Sequence, residues 1–376
     1  IRTLRAERYL LASESLAEMA SALLDLMSMP PDGDRPFSDY VRHMIGPART
    51  LATIQKQIGG VLTPTTRKEL DRVSSTIHLL LEERADLVFY TAMDDDGSTL
   101  LCASISDLTS QLHATLWSQN QPILLTSGTL AIGKDFCRFK EEAGLTGNPR
   151  VEESVSPSPF DYRKNCLLYF PAMPPRHHEA DYFDKLTEEI RTLLIAVHGH
   201  ALVLFTSYAA MSAVKDRLKH QPLPFPLFTM GRNTPHTMAQ FKASPGSALF
   251  ATGAAWEGFD FPGDCVSLLV IPRLPFQYPD ALQEKKRAAY PDLRAFIRAV
   301  AVPEMQIRLK QGFGRAIRLE TDTCAIAVLD ERAAKGSRYF NDVCSALPEM
   351  PVTNSIYAVE RFIRQIKNED YFREVA

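Results

Sequence analysis

Apolar residues at three- and four-residue steps open the chain. Leu4, Tyr9, Leu10, Leu16, Met19, Leu23, Leu24 and Met27 recur this way with charge between them, which predicts a helix over residues 1–29. Pro30 and Pro31 end it. Residues 37–57 and 65–84 predict two more helices, the second carrying Leu70, Val73, Ile77, Leu80 and Leu81 behind a Thr65 or Thr66 cap. The first stretch therefore reads as a helical module with balanced charge, and nothing in it alone points to chemistry.

The texture changes near residue 86. Runs at 85–90 and 99–104 predict strands, residues 106–118 a helix, and the apolar run 121–126 a short buried strand. A polar, proline-rich stretch from Asn148 to Arg176 reads as a connection. From residue 181 helix and strand alternate. Helices are expected at 181–197, 208–219, 235–243 and 303–318, and strands at 201–205, 225–230, 248–252, 266–271 and 324–329. Such alternation predicts an α/β fold with a mostly parallel sheet covered on both faces. Ligands of such sheets bind beyond the carboxyl ends of strands. Polar clusters stand there at Thr206–Tyr208, Gly253–Asp260 and Asp330–Arg332.

Composition narrows the classes. A length of 376 residues allows two or three domains, and 45% hydrophobic with 23% charged residues is ordinary for a globular chain. A net charge of −3 argues against a uniformly basic nucleic-acid coat but leaves room for a local basic cleft. No run approaches the roughly 18 apolar residues that span a bilayer, and no signal peptide is visible, so a cytoplasmic setting without membrane association is expected. The first residue is Ile1, which leads us to expect a longer polypeptide. Six cysteines, at 102, 137, 166, 265, 324 and 344, form no CxxC pair, so reduced core thiols are expected rather than a metal site.

Two segments imitate nucleotide-binding motifs. Gly128–Lys134 has the spacing of a phosphate loop, but Asp135 stands where that loop requires Ser or Thr for Mg²⁺. The run Cys324–Glu331 looks like a strand ending in a metal-binding carboxylate, yet no upstream phosphate loop accompanies it.

The candidate chemistry lies elsewhere. Gln311, Arg315 and Arg318, spaced by four and three residues on the expected helix 303–318, would share one face and form a donor array for phosphate oxygens. Gly314 sits among them at a cost of about 1 kcal/mol against Ala, which implies a close approach to the backbone. A solvated basic face is the competing reading. In Ala251–Asp264 glycines and the carboxylates Glu257 and Asp260 follow a strand, with Asp260 placed for a ribose hydroxyl or an arginine. A glycine-rich turn competes with that reading. The runs 124–130 and 202–208 each open a buried strand into small hydroxyl residues, and each alone reads as plain sheet edge.

The order of the pieces is more informative than any one of them. Thr-Ser-Gly-Thr-Leu at 126–130, Ser-Pro-Phe-Asp-Tyr at 158–162, Leu-Phe-Thr-Ser-Tyr at 204–208, Trp-Glu-Gly-Phe-Asp at 256–260, Arg-Leu-Pro-Phe at 273–276 and Gln-Gly-Phe-Gly-Arg-Ala-Ile-Arg at 311–318 come in one series. That series resembles the DinG branch of the XPD-like, superfamily 2 helicases over about residues 85–350, where these runs correspond to motifs III to VI. The resemblance implies a RecA-like, P-loop-NTPase-type parallel sheet plus an N-terminal α-helical, Arch-like module. The domains expected are a partial Arch at 1–85, remnant strands of a first RecA-like domain at 86–147, and a second RecA-like helicase domain at 148–376. It implies ATP with Mg²⁺, translocation on single-stranded or forked DNA, usually 5′ to 3′, in repair or replication, and a monomer.

Carried over by motif, Arg315 and Arg318 take the catalytic arginine role. Gln311, Gly314, Glu257, Gly258 and Asp260 face the nucleotide, with Glu257 and Asp260 coupling it to DNA. Ser207, Tyr208 and Thr252 meet the DNA backbone. Thr126, Ser127, Gly128 and Thr129 link the domains. Residues 285–298 offer a basic flank, or equally a solvated helix. The family's Walker A loop and Asp-Glu-Ala-His box are absent from this sequence and are expected upstream, where many members of the family also carry a four-cysteine iron–sulfur cluster that this chain has no ligands for. The chain alone is therefore expected not to hydrolyse ATP. A non-catalytic nucleic-acid-binding or regulatory fragment and an exonuclease relative are the alternatives.

Overall fold

A computed structural model describes residues 1–28, 37–82, 86–93, 99–119, 121–231, 234–256, 258–261 and 263–372. The chain divides into two compact units. One comprises residues 1–119 and 279–292, the other residues 120–278 and 293–376.

The first unit is helical with one hairpin. The expected helix 1–29 is two helices, Arg2–Ala6 and Leu10–Ser28. Arg8 lies in the left-handed region with φ 66° and breaks them, a conformation that periodicity does not reveal. Phe37–Ile58 and Pro64–Leu81 follow. Leu16, Met44, Leu51, Ile54, Leu70 and Ile77 form their shared core, as the apolar spacing predicts. The cap of the last helix is Thr63, two to three residues earlier than the expected Thr65 or Thr66. Its hydroxyl oxygen accepts from the Thr66 amide, and Pro64 occupies the first turn. The hydroxyls of Thr63 and Thr66 both donate to Glu7, which lowers that carboxyl's pKa. Strands β1 (Leu87–Met93) and β2 (Thr99–Ile105) pair antiparallel, from Leu87 opposite Ile105 to Met93 opposite Thr99. Helix Ala281–Ala288 belongs to this unit, and its Lys285 ammonium donates to the Leu87 carbonyl at 3.1 Å.

The second unit holds a parallel sheet of seven strands. These are β3 (Cys166–Tyr169), β4 (Ala201–Leu204), β5 (Leu227–Thr229), β6 (Ala248–Ala251), β7 (Leu268–Ile271), β8 (Cys324–Val328) and β9 (Val352–Thr353). Their order is β5-β6-β4-β7-β8-β3-β9. Every residue of β3, β4, β6, β7 and β8 is buried, as strands covered on both faces require. Alternate residues serve opposite faces. Leu202, Leu204, Leu249, Leu269 and Ile326 face a core that includes Met305, Leu309 and Phe313 of helix Val302–Phe313. Ala201, Val203, Phe250, Leu268 and Val270 face the other core, which holds Leu186, Ile190 and Leu193 of helix Tyr182–Ala196 and Val359 and Ile363 of helix Ile356–Ile366. Each fully buried Leu or Phe here contributes about 1.5–3 kcal/mol.

Three readings of the sequence change. The stretch 148–176 is more than a connection, because β3 lies inside it, between β8 and β9. The expected strand 121–126 is not formed. No strand among the described residues pairs with it, and Leu124 is 90% exposed, so apolar character there does not mark sheet burial. The expected helix 303–318 ends at Phe313, with Gly314 as its C-cap.

Candidate nucleotide half-site

The end of helix Val302–Phe313 alters the geometry of Gln311, Arg315 and Arg318. Only Gln311 is helical, and a turn carries the two arginines. One shared helix face is therefore the wrong picture. Asp322 builds the turn instead. Its carboxylate, 3% exposed as a residue, accepts the backbone N–H groups of Arg318 at 2.8 Å and Leu319 at 2.7 Å. Sequence reasoning passed over Asp322, although Asp a few residues beyond a helix is a turn-closing residue.

Both arginines reach the segment that follows β6. Arg315 donates through Nη1 to the Phe259 carbonyl at 2.6 Å and through Nε to the Gln311 carbonyl at 3.3 Å. Arg318 Nε lies 2.9 Å from Asp260 Oδ1, with the two side chains 35% and 64% exposed. Gly258 is exposed beside them, and Glu257 lies outside the described residues. The chain leaves β6 through Thr252 and Gly253, whose φ of 60° makes the turn. Trp256 then anchors the loop. Its indole N–H donates to the Phe205 carbonyl, beyond β4, at 3.1 Å in the core.

The close approach to backbone occurs at Gly312 rather than Gly314. A Cβ on Gly312 would lie 2.8 Å from Trp256 Cζ3, whereas on Gly314 it would meet the Gln311 and Lys310 carbonyl oxygens at 3.4 and 3.6 Å. The close approach expected at Gly314 is therefore not found there. The pairing of Gly312 with Trp256 spans 56 residues and follows from packing rather than from spacing.

The other candidates are distributed along the sheet. Ser207 and Tyr208 follow the carboxyl end of β4. Ser207 caps helix Tyr208–Leu218, its hydroxyl accepting from the Ala210 amide at 3.2 Å, and Tyr208 is 58% exposed. Thr252 is buried, at 4% exposure, and so presents little surface to a strand of DNA. Thr126, Ser127 and Gly128 are exposed and Thr129 half-buried, with Ser127 and Thr129 hydroxyls 3.1 Å apart. The segment after them is fastened to helix Val302–Phe313. Lys310 donates to the Ala131 carbonyl at 3.3 Å, and burial lowers its pKa. Arg138 donates to Glu304 at 2.9 Å and to the Ala299 carbonyl at 3.0 Å.

Neither imitation motif behaves as a phosphate site. Gly128 and Gly133 have open space where a Cβ would stand, and Asp135 accepts the Cys137 amide at 2.7 Å at the start of helix Cys137–Ala143. Those hydrogen bonds from Cys137 lower the Asp135 pKa, so a fixed negative charge stands beside the loop. Asp330, after β8, holds Arg332 and accepts the Leu274 amide at 2.9 Å. In the basic flank Lys285 serves β1, and Arg287 pairs with Glu284 at 3.2 Å. Among the described residues no group of three His, Cys, Asp or Glu is arranged to hold a metal ion, and no helix is long and apolar enough to cross a membrane.

Residues 190–350 match the family model described as helicase C-terminal domain. The chain is 30% identical over 319 residues to the ATP-dependent helicase DinG of Mycobacterium tuberculosis, covering 84% of this chain and 48% of that protein. The chain belongs to the DinG helicase family. It is also 31% identical over 243 residues to the ATP-dependent DNA helicase YoaA of Escherichia coli, which covers 64% of this chain and 37% of that one. The chain thus spans about half the length of the DinG relatives it matches. In fold it is similar to a solved XPD helicase, with a TM-score of 0.56 at 14% identity over 91% of this chain and 62% of the other. The seven-stranded sheet is accordingly RecA-like, and the region of the DinG match is the family's C-terminal part.

Proposed function

We propose that the second unit is the second motor domain of an ATP-dependent DNA helicase, and that Gln311, Arg315 and Arg318 supply one half of its ATP site. The observation that carries this is the Arg318–Asp260 ion pair, which ties the arginine turn to the loop after β6. Asp260 engages the Nε edge of a fork with five N–H donors. During turnover Arg318 exchanges this carboxylate for oxygens of the transferring phosphoryl group, where its charge offsets the charge that builds up. Arg315, bound to the Phe259 carbonyl, passes nucleotide state to the Thr252–Asp260 loop, with Glu257 and Asp260 as its coupling carboxylates. Gln311, Arg315 and Arg318 would hold the nucleotide from this side, and Mg²⁺ bound with ATP would supply neutralisation of phosphate charge.

Ser207 and Tyr208 meet the backbone of a single strand, which suits a translocase because phosphate contacts carry no sequence information. Thr126–Thr129 transmit closure between motor domains. The protein acts as a cytoplasmic monomer on single-stranded or forked DNA in repair or replication.

The test is DNA-stimulated phosphate release. In a polypeptide that also carries a phosphate loop and Asp-Glu-Ala-His box, Arg318→Ala is expected to lower kcat by about 10³-fold or more. Unchanged turnover refutes the arginine assignment. The 376-residue chain alone is expected to release no phosphate, and DNA-stimulated release that Arg318→Ala abolishes would overturn that expectation.

A further inference from the structure

Beyond the carboxyl ends of β3, β7 and β8 lies a cavity of about 220 Å³ that the nucleotide half-site does not use. Its walls come from residues 175–182, from Arg273 after β7, and from Asp330–Arg332 after β8. Arg273 Nη1 donates to His177 Nε2 at 2.8 Å, so the imidazole accepts at Nε2 and carries its proton on Nδ1. The backbone N–H of His177 donates in turn to Glu331 at 3.3 Å. The ring of His177 is therefore held between Arg273 and the Tyr182 ring, whose centroid is 5.1 Å away.

The charges in this cavity are not equivalent. Asp330 is buried and saturated. It accepts the amides of Leu274 and Arg332 at 2.9 Å and the Arg332 guanidinium at 2.7 Å. Arg332 is thereby neutralised, and it lies over the ring of Phe276, 5.0 Å from the centroid. Arg273 has no carboxylate partner among the described residues, and its hydrogen-bond partner is uncharged. Its fork presents donors to the cavity on a fixed axis. Glu331, on the rim, is the one carboxylate that opposes an anion there.

Position decides the ligand. β4 and β7 are adjacent and parallel, with Val203 opposite Val270. Neighbouring strands lie about 4.8 Å apart, so Ser207 and Arg273 leave the sheet at the same edge from adjoining strands. Tyr278, five residues beyond Arg273, is 84% exposed, and Met173, two residues before the wall segment 175–182, is 90% exposed. A cation fixed in a concavity at that edge suits a backbone phosphate.

We propose that Arg273, oriented by His177, binds a phosphodiester of single-stranded nucleic acid in this cavity. The inference rests on the helicase reading above and adds a site to it. Arg273 is the contact residue and His177 a positioning residue.

The test is fluorescence anisotropy of a labelled oligo-dT with the 376-residue chain across a salt series. Arg273→Gln is expected to weaken binding about fivefold and to reduce the salt slope by about 0.7, the value for one phosphate contact on a single strand. Arg273→Lys keeps the slope while losing affinity, which separates charge from misfolding, and Glu331→Gln tightens binding. An Arg273→Gln protein with unchanged affinity and slope overturns the proposal. Wild-type chain that binds no oligonucleotide instead overturns the helicase reading on which it rests. A third arm adds inorganic phosphate at constant ionic strength. Displacement of the oligonucleotide from wild type that disappears in Arg273→Gln supports the proposal, because phosphate then competes for the same site, whereas Arg273-dependent phosphate binding that leaves the oligonucleotide in place would assign the cavity to a free phosphate and overturn the nucleic-acid assignment.

Discussion

Gly312 lies under the indole of Trp256, and a methyl group on its α-carbon would stand 2.8 Å from Cζ3 and 2.9 Å from Cε3. The indole is not free to retreat, because its N–H is bonded to the Phe205 carbonyl and Leu204 Cδ1 would be 3.3 Å from the same methyl. Gly312→Ala is therefore expected to destabilise the chain by about 1–3 kcal/mol, although Ala is the better helix former. Gly314→Ala has φ −62° and ordinary contacts, and is expected to stabilise by about 0.5 kcal/mol. Urea unfolding of the two variants separates these outcomes. Equal effects would show that the indole contact does not set the requirement for glycine.

Arg318 and Asp260 are both substantially exposed, so their pair contributes little to folding. Arg318→Ala is expected to change stability by less than about 1 kcal/mol. A large loss in a thermal melt would mean that the arginine is structural, and would remove the main support for its role in phosphoryl transfer.

Asp322 is different because it is buried and accepts two backbone N–H groups. Asp322→Ala leaves both without partners and is expected to cost about 2–4 kcal/mol, with Asp322→Asn recovering part of it. The same substitution frees the turn that carries Arg318. A variant as stable as wild type would show that water replaces the carboxylate.

Acid should weaken the second unit through His200. The residue is buried, its Nδ1–H donates to the Asp264 carbonyl at 2.7 Å, and its ring stacks on Tyr371 at 4.0 Å. Burial lowers its pKa, against the pull of Asp264, while Lys367 adds to the lowering. The unfolded chain then binds a proton near pH 6.5 that the folded chain takes up only at lower pH. The stabilisation is complete above the unfolded pKa and is lost as pH falls through the folded one. Urea midpoints measured downward from pH 7 should fall more steeply for wild type than for His200→Gln. Parallel profiles would exclude His200 as the source.

Much of the sheet could be read from sequence because its strands are covered on both faces, and their apolar runs need no knowledge of partners. β4, β6 and β8 were legible in that way. β3 was not, since Cys166–Phe170 is a short apolar run set among prolines and charges. The run 121–126 has the same composition as the true strands and no strand beside it, and pairing is a property of the neighbours rather than of the run. At the candidate site, motif order identified the arginines and the loop they touch. The helix end was missed because Gly314 and Asp322 terminate it through a turn, while the apolar spacing continues to Ile317. Trp256 and Gly312 were both in view, but only tertiary packing shows that one fixes the identity of the other.

The helical unit is assembled from two pieces of sequence, residues 1–119 and 279–292. A ribosome therefore delivers most of it early and withholds Lys285, the donor to the Leu87 carbonyl, until about 160 further residues have emerged. By then β3 to β7 of the sheet have also been synthesised. Neither unit is a simple N-terminal or C-terminal half, and a cut at residue 119 would divide the first unit while leaving the second on one piece. Folding during synthesis must leave the first unit unfinished while the second is being built, so the two are coupled in time by the order of the chain itself.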